Sequence, residues 1–175
     1  MIRQTKILNS KEFNNVNITS VCDIKKNKLV KFTRKYKHAL TFTNLKDLFK
    51  FDNPDLLIIA TPSGLHYKNA KFALEKGCNV LIEKPITLKS KEAEYLYKLA
   101  KLKKRKLFVA FQNRYNPSIK KLKKTIGEKK FGKVITVSSR LRWCRYPEYY
   151  KDDWHGTWKL DGGVLANQAI HILDI

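Results

Sequence analysis

A doubly wound parallel α/β sheet is the fold class this sequence predicts, and three observations carry it. Strand-like and helix-like stretches alternate from Asn17 to Asn113, the order that successive βαβ units impose. The runs "LLIIA" and "NVLI" are unbroken and apolar, as expected of strands covered on both faces. Several of these candidate strands also end in a short polar cluster, the pattern of a sheet that gathers its function along one edge.

In chain order, "NITSVCDI" reads as a short strand ending in Asp23. "KKNKLVKFTRKYKH" places Leu29, Phe32 and Tyr36 at helical spacing among lysines, an amphipathic helix with one buried face. "ALTFT" is a second strand, and Asn44 is a natural cap for the helix "LKDLFKF". Asn53-Pro54 turns the chain into "DLLIIATP", whose continuous apolar run predicts a buried strand central in the sheet. "SGLHYKNAKFALEKG" is a helix with Ser63 near its start and Gly77 as its stop. A further strand, "CNVLIEKP", is followed by a basic helix from Ser90, and "LFVAFQN" is the last strand of the series.

Beyond Asn113 the rhythm changes, so a first domain over 1–113 and the start of a second over 114–175 are expected. "NPSIKKLKKTIG" predicts a helix from Pro117, "GKVITVSSRLRW" alternates as a long strand would, and "DGGVLANQAIHILDI" reads as a helix opened by two glycines. The fold class expected for the whole is therefore α/β: a doubly wound parallel sheet, then the start of a second domain.

The net charge of +22 on 175 residues raises the question of nucleic acid. The basic residues are thirty lysines and seven arginines spread along the whole chain, whereas a phosphate-reading surface favours clustered, bidentate arginine. Nucleic acid is accordingly not the expected partner, although the positive field suits a phosphorylated small molecule. Cys22, Cys78 and Cys144 are scattered, with no C-x-x-C, which points to neither a disulfide framework nor a metal site and to a reducing compartment. No stretch has the apolar core of a signal peptide or the length of a membrane span. A cytoplasmic protein is expected.

The site candidates follow from the strand ends. Asp23, the cluster Thr61-Pro62-Ser63, the cluster Glu83-Lys84-Pro85 and the pair Gln112-Asn113 all fall just beyond predicted strands, where open α/β sheets bind their ligands. Asp23 is placed either to accept hydrogen bonds from a ribose diol or to cap a turn. Lys84 either pairs with Glu83 at the surface or, held by the Pro85 stop and a cis bond before it, faces the cleft. Asn167 and His171 are four apart and share a helix face. A histidine there can take a proton from a hydroxyl, as alcohol oxidation requires, or be structural.

With those residues in view, the chain resembles the glucose-fructose oxidoreductase, inositol dehydrogenase and MocA family of NAD(P)-dependent sugar oxidoreductases. The resemblance rests on "SVCDI", "IIATPSGLHYKNA", "NVLIEKPIT", "LFVAFQNRYNP", "FGKVITV" and "GTWKLDGGVLANQAIHILDI", in that order. "RWCRYPEYY", "HGTW" and "NQAIH" are similar to the branch acting at C3 of UDP-linked N-acetylamino sugars or their uronic acids. The resemblance implies a Rossmann-type domain and hydride transfer from a sugar carbon to NAD. It makes His171 the general base, Lys84 the group that positions the hydroxyl and stabilises its oxygen, and Asn167 the residue that orients the substrate. Many family members carry Asp at the position of Asn167, and the Asn fits the amino-sugar branch. Asp23 would hold the adenosine ribose and favour NAD over NADP, because a carboxylate repels a 2′-phosphate. Thr61, Pro62, Ser63 and His66 would line the dinucleotide, and Glu83, Lys84 and Gln112 would approach its nicotinamide end.

The family pattern opens with a strand and a glycine-rich turn, whereas "MIRQTKILNSKEFNN" reads as the helix after that turn. It also continues into a larger sheet that pairs subunits, so family members are expected to be homo-oligomers. The sequence therefore reads as a fragment of such an oxidoreductase, an incomplete Rossmann-type doubly wound parallel sheet followed by the start of an α+β domain, and weak or no NAD binding is expected of the fragment alone. The alternative expectation is a noncatalytic remnant with a nucleotide-binding or scaffolding role.

Overall fold

The computed structural model describes residues 15–175, so the helix expected at the very start of the chain lies outside the described residues. Among the described residues five short strands, all paired in parallel, alternate with helices as the sequence predicts. Among the described residues they form two sheets rather than one.

The first sheet pairs β1 (Ser20–Cys22) with β2 (Leu40–Phe42), in the register Ser20 to Leu40 and Cys22 to Phe42. The crossover is α1 (Lys26–Thr33), which buries Leu29. Helix α2 (Leu45–Phe51) follows, started as expected by Asn44, whose side chain accepts from the Asp47 amide at 2.8 Å. This helix joins the two sheets. It contacts both β1 and β2, while its Phe49 packs against the core of the other sheet and meets Phe72 edge-on, centroids 5.6 Å apart.

The second sheet has the order β3 (Leu56–Ile59), β4 (Asn79–Glu83), β5 (Leu107–Ala110). Helix α3 (His66–Glu75) connects β3 to β4, and α4 (Ser90–Leu102) connects β4 to β5. Gly77, at φ +77°, ends the turn after α3. The core lies here: Ala70, Ala73, Leu74, Val80, Ile82 and Leu96 are fully buried.

Two expectations are corrected. β3 was expected to be central and covered on both faces, but among the described residues it pairs with β4 alone and only Ile59 is buried. The central strand is β4, with partners on both sides. The second correction concerns "GKVITVSSRLRW". Its alternation predicts a long strand, yet residues 134–146 join no ladder. Alternating side chains give a segment the capacity to be half-buried, but a strand exists only where a second backbone accepts its hydrogen bonds. The expected helix α5 (Pro117–Gly127) does form, with Pro117 in its first turn.

The last segment differs in detail from the uniform helix expected. Gly162 and Gly163 both take left-handed φ values, +80° and +78°. After them a π-helical turn over Leu165–Ala169 runs into α6 (Ile170–Leu173). No helix among the described residues is long and apolar enough to cross a membrane.

Candidate active site

The site is assembled at the carboxyl end of β4. Glu83 is the last residue of that strand and pairs in register with Ala110 of β5, which places Lys84 and Gln112 just beyond adjacent strand ends. Gln112 opens a 3-10 turn over Gln112–Tyr115 and is exposed. The Lys84-Pro85 bond is cis, and Lys84 extends into contact with Asn167.

Lys84 donates through Nζ to the side-chain oxygen of Asn167 at 3.0 Å and also to the Asn167 backbone carbonyl. This contact joins the end of β4 to the π-helical turn. Burial pushes the Lys84 ammonium below its ordinary value, Glu83 and Asp161 oppose that shift, and Arg145 adds to it.

Asn167 is buried and fully engaged. Its amide nitrogen donates to Asp161 Oδ1 and to the Tyr149 hydroxyl, the latter at 3.2 Å. Tyr149 also accepts from Gln168 Nε2 at 3.4 Å. His171, one turn further along, is partly buried, and its Nδ1 is enclosed with no hydrogen-bond partner. Its pKa is lowered, first by burial and then by the Lys84 charge. The imidazole is thus neutral near pH 7, the form that accepts a proton. Arg114 fixes the end of this helix by a two-pronged pair with Asp174, Nε to Oδ2 at 2.7 Å.

The cluster after β3 is tied to the one after β4. His66 is 1 % exposed, with Nδ1 2.7 Å from the Pro85 carbonyl and Nε2 2.9 Å from the Thr61 carbonyl. A neutral ring donates to one of these carbonyls and lies against the other. Burial lowers the His66 pKa, and the two carbonyls oppose this. Both ring nitrogens face protein, so His66 shapes the wall beside Thr61, Pro62 and buried Ser63 by holding two loops together. Asp23 stands at the end of β1, on the other sheet. One carboxylate oxygen accepts from the Lys25 amide at 2.9 Å and the other lies 3.5 Å from Lys28 Nζ. It closes the turn that leads to α1, and a carboxylate so engaged keeps lone pairs for a further donor.

Lys84, Asn167 and His171 thus form one cluster, Thr61 and His66 brace it through Pro85, and Asp23 lies apart on the first sheet. Sequence reasoning missed Tyr149 and Asp161. They stand inside the quoted stretches "RWCRYPEYY" and "GTWKLDGGVLANQAIHILDI", but only the folded chain shows that they converge on Asn167. Arg145 stacks over Trp143, 3.9 Å from the ring centre, and 5.2 Å from that of Tyr149.

Comparison with known proteins identifies the family. A model of the oxidoreductase family with an NAD-binding Rossmann fold matches residues 2–111, and the GFO/IDH/MocA C-terminal domain matches residues 119–175. The chain belongs to this family. Among family relatives, the uncharacterized oxidoreductase YdgJ of Escherichia coli is 33 % identical over 74 % of the chain and 37 % of its own length. D-glucoside 3-dehydrogenase of the same organism is 25 % identical, over 92 % of the chain and 46 % of its own length. Among solved structures, the WlbA dehydrogenase of Chromobacterium violaceum in complex with NADH and UDP-GlcNAcA superposes with a TM-score of 0.94 at 33 % identity, covering 99 % of this chain and 50 % of that one. WlbA from Bordetella pertussis, with the same ligands, gives 0.85 at 34 % identity over 89 % of this chain and 45 % of that one. The chain thus spans about a third to a half of the length of these relatives.

Proposed function

We propose that this chain carries the cofactor side and the reacting centre of an NAD-dependent dehydrogenase that oxidises a sugar-nucleotide hydroxyl. The substrate is C3 of a UDP-linked N-acetylamino sugar or its uronic acid. The observation that carries the reading is the Lys84 ammonium seated on Asn167, with neutral His171 on the next turn of the same helical segment. The likeness to two WlbA dehydrogenases in complex with NADH and UDP-GlcNAcA supports the substrate class.

The residues present fit NAD. Asp23 retains acceptor capacity for a ribose diol, and Thr61, Pro62 and Ser63 line the same strand-end edge as Lys84. Bound NAD would supply the acceptor for the hydride leaving the sugar carbon.

His171 takes the hydroxyl proton onto a ring nitrogen while that carbon becomes a carbonyl. Lys84 donates a hydrogen bond to the reacting oxygen, holding the hydroxyl in line and stabilising the charge that grows on it. Asn167 presents its oxygen to Lys84 and so fixes the direction of the ammonium. The alcohol becomes a ketone, its proton passes to His171, and its hydride would leave to the acceptor that bound NAD supplies.

The test follows NADH formation by nicotinamide absorbance, with UDP-GlcNAcA and UDP-GlcNAc as substrates. In this chain joined to the glycine-rich turn and larger sheet of the family, NADH should form with at least one of them, and Lys84→Ala and His171→Ala should each lower the rate by about 10²-fold or more. Failure to reduce NAD with either substrate, or unchanged turnover in both variants, overturns the reading.

A further inference from the structure

We propose that Asp161 is a positioning residue of this site: its carboxylate turns the Asn167 side-chain amide so that the amide oxygen faces the Lys84 ammonium. The relevance to catalysis rests on the dehydrogenase reading above, while the arrangement itself stands without any substrate.

The argument uses donors and acceptors alone. An ionised carboxylate only accepts hydrogen bonds and an ammonium only donates them, whereas a primary amide does one at each end. Asn167 lies between Asp161 and Lys84. Its NH2 must therefore point to Asp161 and its oxygen to Lys84, and the reverse orientation would set like against like on both sides. The Tyr149 hydroxyl takes the second amide hydrogen at 3.2 Å, so the amide has no slack.

Asp161 is itself held fast. It is 4 % exposed, and its second oxygen accepts from the Gly156 amide at 2.9 Å. Its own backbone N–H donates to the Thr157 carbonyl at 2.9 Å, and the Leu160 carbonyl accepts from the Gly64 amide at 2.9 Å. The loop 156–162 is thereby pinned to the turn after β3. Such a chain, carboxylate to amide to ammonium, transmits orientation from a rigid loop to the group proposed to touch the substrate.

The same logic accounts for Asn rather than Asp at position 167. A second carboxylate there would meet Asp161 across a hydrogen-bond distance and replace the amide's donated hydrogen bond with like-charge repulsion. The charged groups around Lys84 are Glu83 and Asp161, which favour its ammonium, and Arg145, which disfavours it. Adding a negative charge at 167 or removing one at 161 therefore moves Lys84 in opposite directions.

The experiment is a double-mutant cycle on the protein without substrate: Asp161→Asn, Asn167→Asp and the two combined. Lys84 reactivity is read by acetic anhydride labelling at fixed alkaline pH and mass spectrometry, with exposed Lys123 as internal reference, and stability is read by urea unfolding. Asp161→Asn should speed Lys84 labelling about threefold and Asn167→Asp slow it about threefold, because removing a neighbouring carboxylate frees the amine of its proton and adding one holds that proton on. In the combined variant the pair is reversed, amide at 161 and carboxylate at 167. It should label within about twofold of the parent and unfold at a higher urea concentration than Asn167→Asp alone. A merely structural Asp161 would lower stability without driving labelling in opposite directions and back. Singles that fail to diverge, or a combined variant that is unfolded or no closer to the parent than Asn167→Asp, overturn the proposal. If one single does not fold, the comparison of the combined variant with the parent still decides. No readout needs turnover, so an inactive protein would defeat the dehydrogenase reading and leave this result standing.

Discussion

The sheet β3–β4–β5 and the segment after Gly127 contribute to the same site on opposite physical terms. In the sheet, β4 is paired on both sides, and Val80 and Ile82 are fully buried between the helices. From 128 onward there is no paired strand, Ile135 and Val137 are 88 % and 82 % exposed, and order comes from turns and polar contacts. Yet that second region supplies Tyr149, Asp161, Asn167 and His171, while the sheet supplies Lys84. Rigidity at one end of a site can thus rest on apolar burial and at the other on a hydrogen-bonded network.

The largest effect should come from breaking the apolar side. Ile82 has no exposed surface, and Ile82→Ala leaves a cavity under the strand that carries Lys84. A loss of about 2–5 kcal/mol is expected, measured by urea unfolding. A loss below about 1 kcal/mol would mean that the core can close over the gap and that burial does not set the rigidity of β4.

Next in size is the joint between the two regions. A Cβ built on Gly64 would lie 2.1 Å from the Lys159 carbonyl oxygen, and backbone cannot swing away as a side chain tip can. Gly64→Ala should cost about 1–3 kcal/mol and uncouple the loop that holds Asp161. Lys84 labelling should shift in the same variant, and an unchanged value would show that the loop does not depend on this docking.

Some of this was readable in advance and some was not, and the division follows the range of the forces. Asn44, Gly77 and Pro117 were legible because caps and stops are decided by a residue and its nearest neighbours. The Glu83-Lys84-Pro85 cluster was legible because charge after a buried strand is locally anomalous. The exposure of β3 was not, since an apolar run says that a strand can be covered and not what lies beside it. Asp161 next to two glycines looks like any turn aspartate. Its burial against Asn167 depends on a loop docking onto Gly64, far away in the sequence.

Acid should separate the regions more gently. His66 and His171 both have native pKa values pushed below the ordinary 6.5, each chiefly by burial. In the window between those lowered values and about 6.5 the unfolded chain binds more protons than the native one, so stability rises with pH there. It is complete above the unfolded value and is lost as pH falls from about 6.5 toward the native values. Urea midpoints at a series of pH values should show this slope, and His66→Gln should flatten it. An undiminished slope in that variant would assign the acid sensitivity to other groups, His171 among them.

The smallest effect is expected where the second region is most exposed. Ile135 touches little, so Ile135→Ser removes apolar surface that already faces water and should change stability by no more than about 0.5 kcal/mol. The same substitution in the sheet would be ruinous, so this variant measures the contrast from its weak side. The residue is nevertheless a large β-branched side chain in an alternating stretch, the type that pays no penalty when another backbone pairs with it. A loss well above 0.5 kcal/mol that grows with protein concentration would show that residues 134–146 are covered by a second chain in solution. The two regions would then differ in where their partner strand comes from, and no longer in whether they have one.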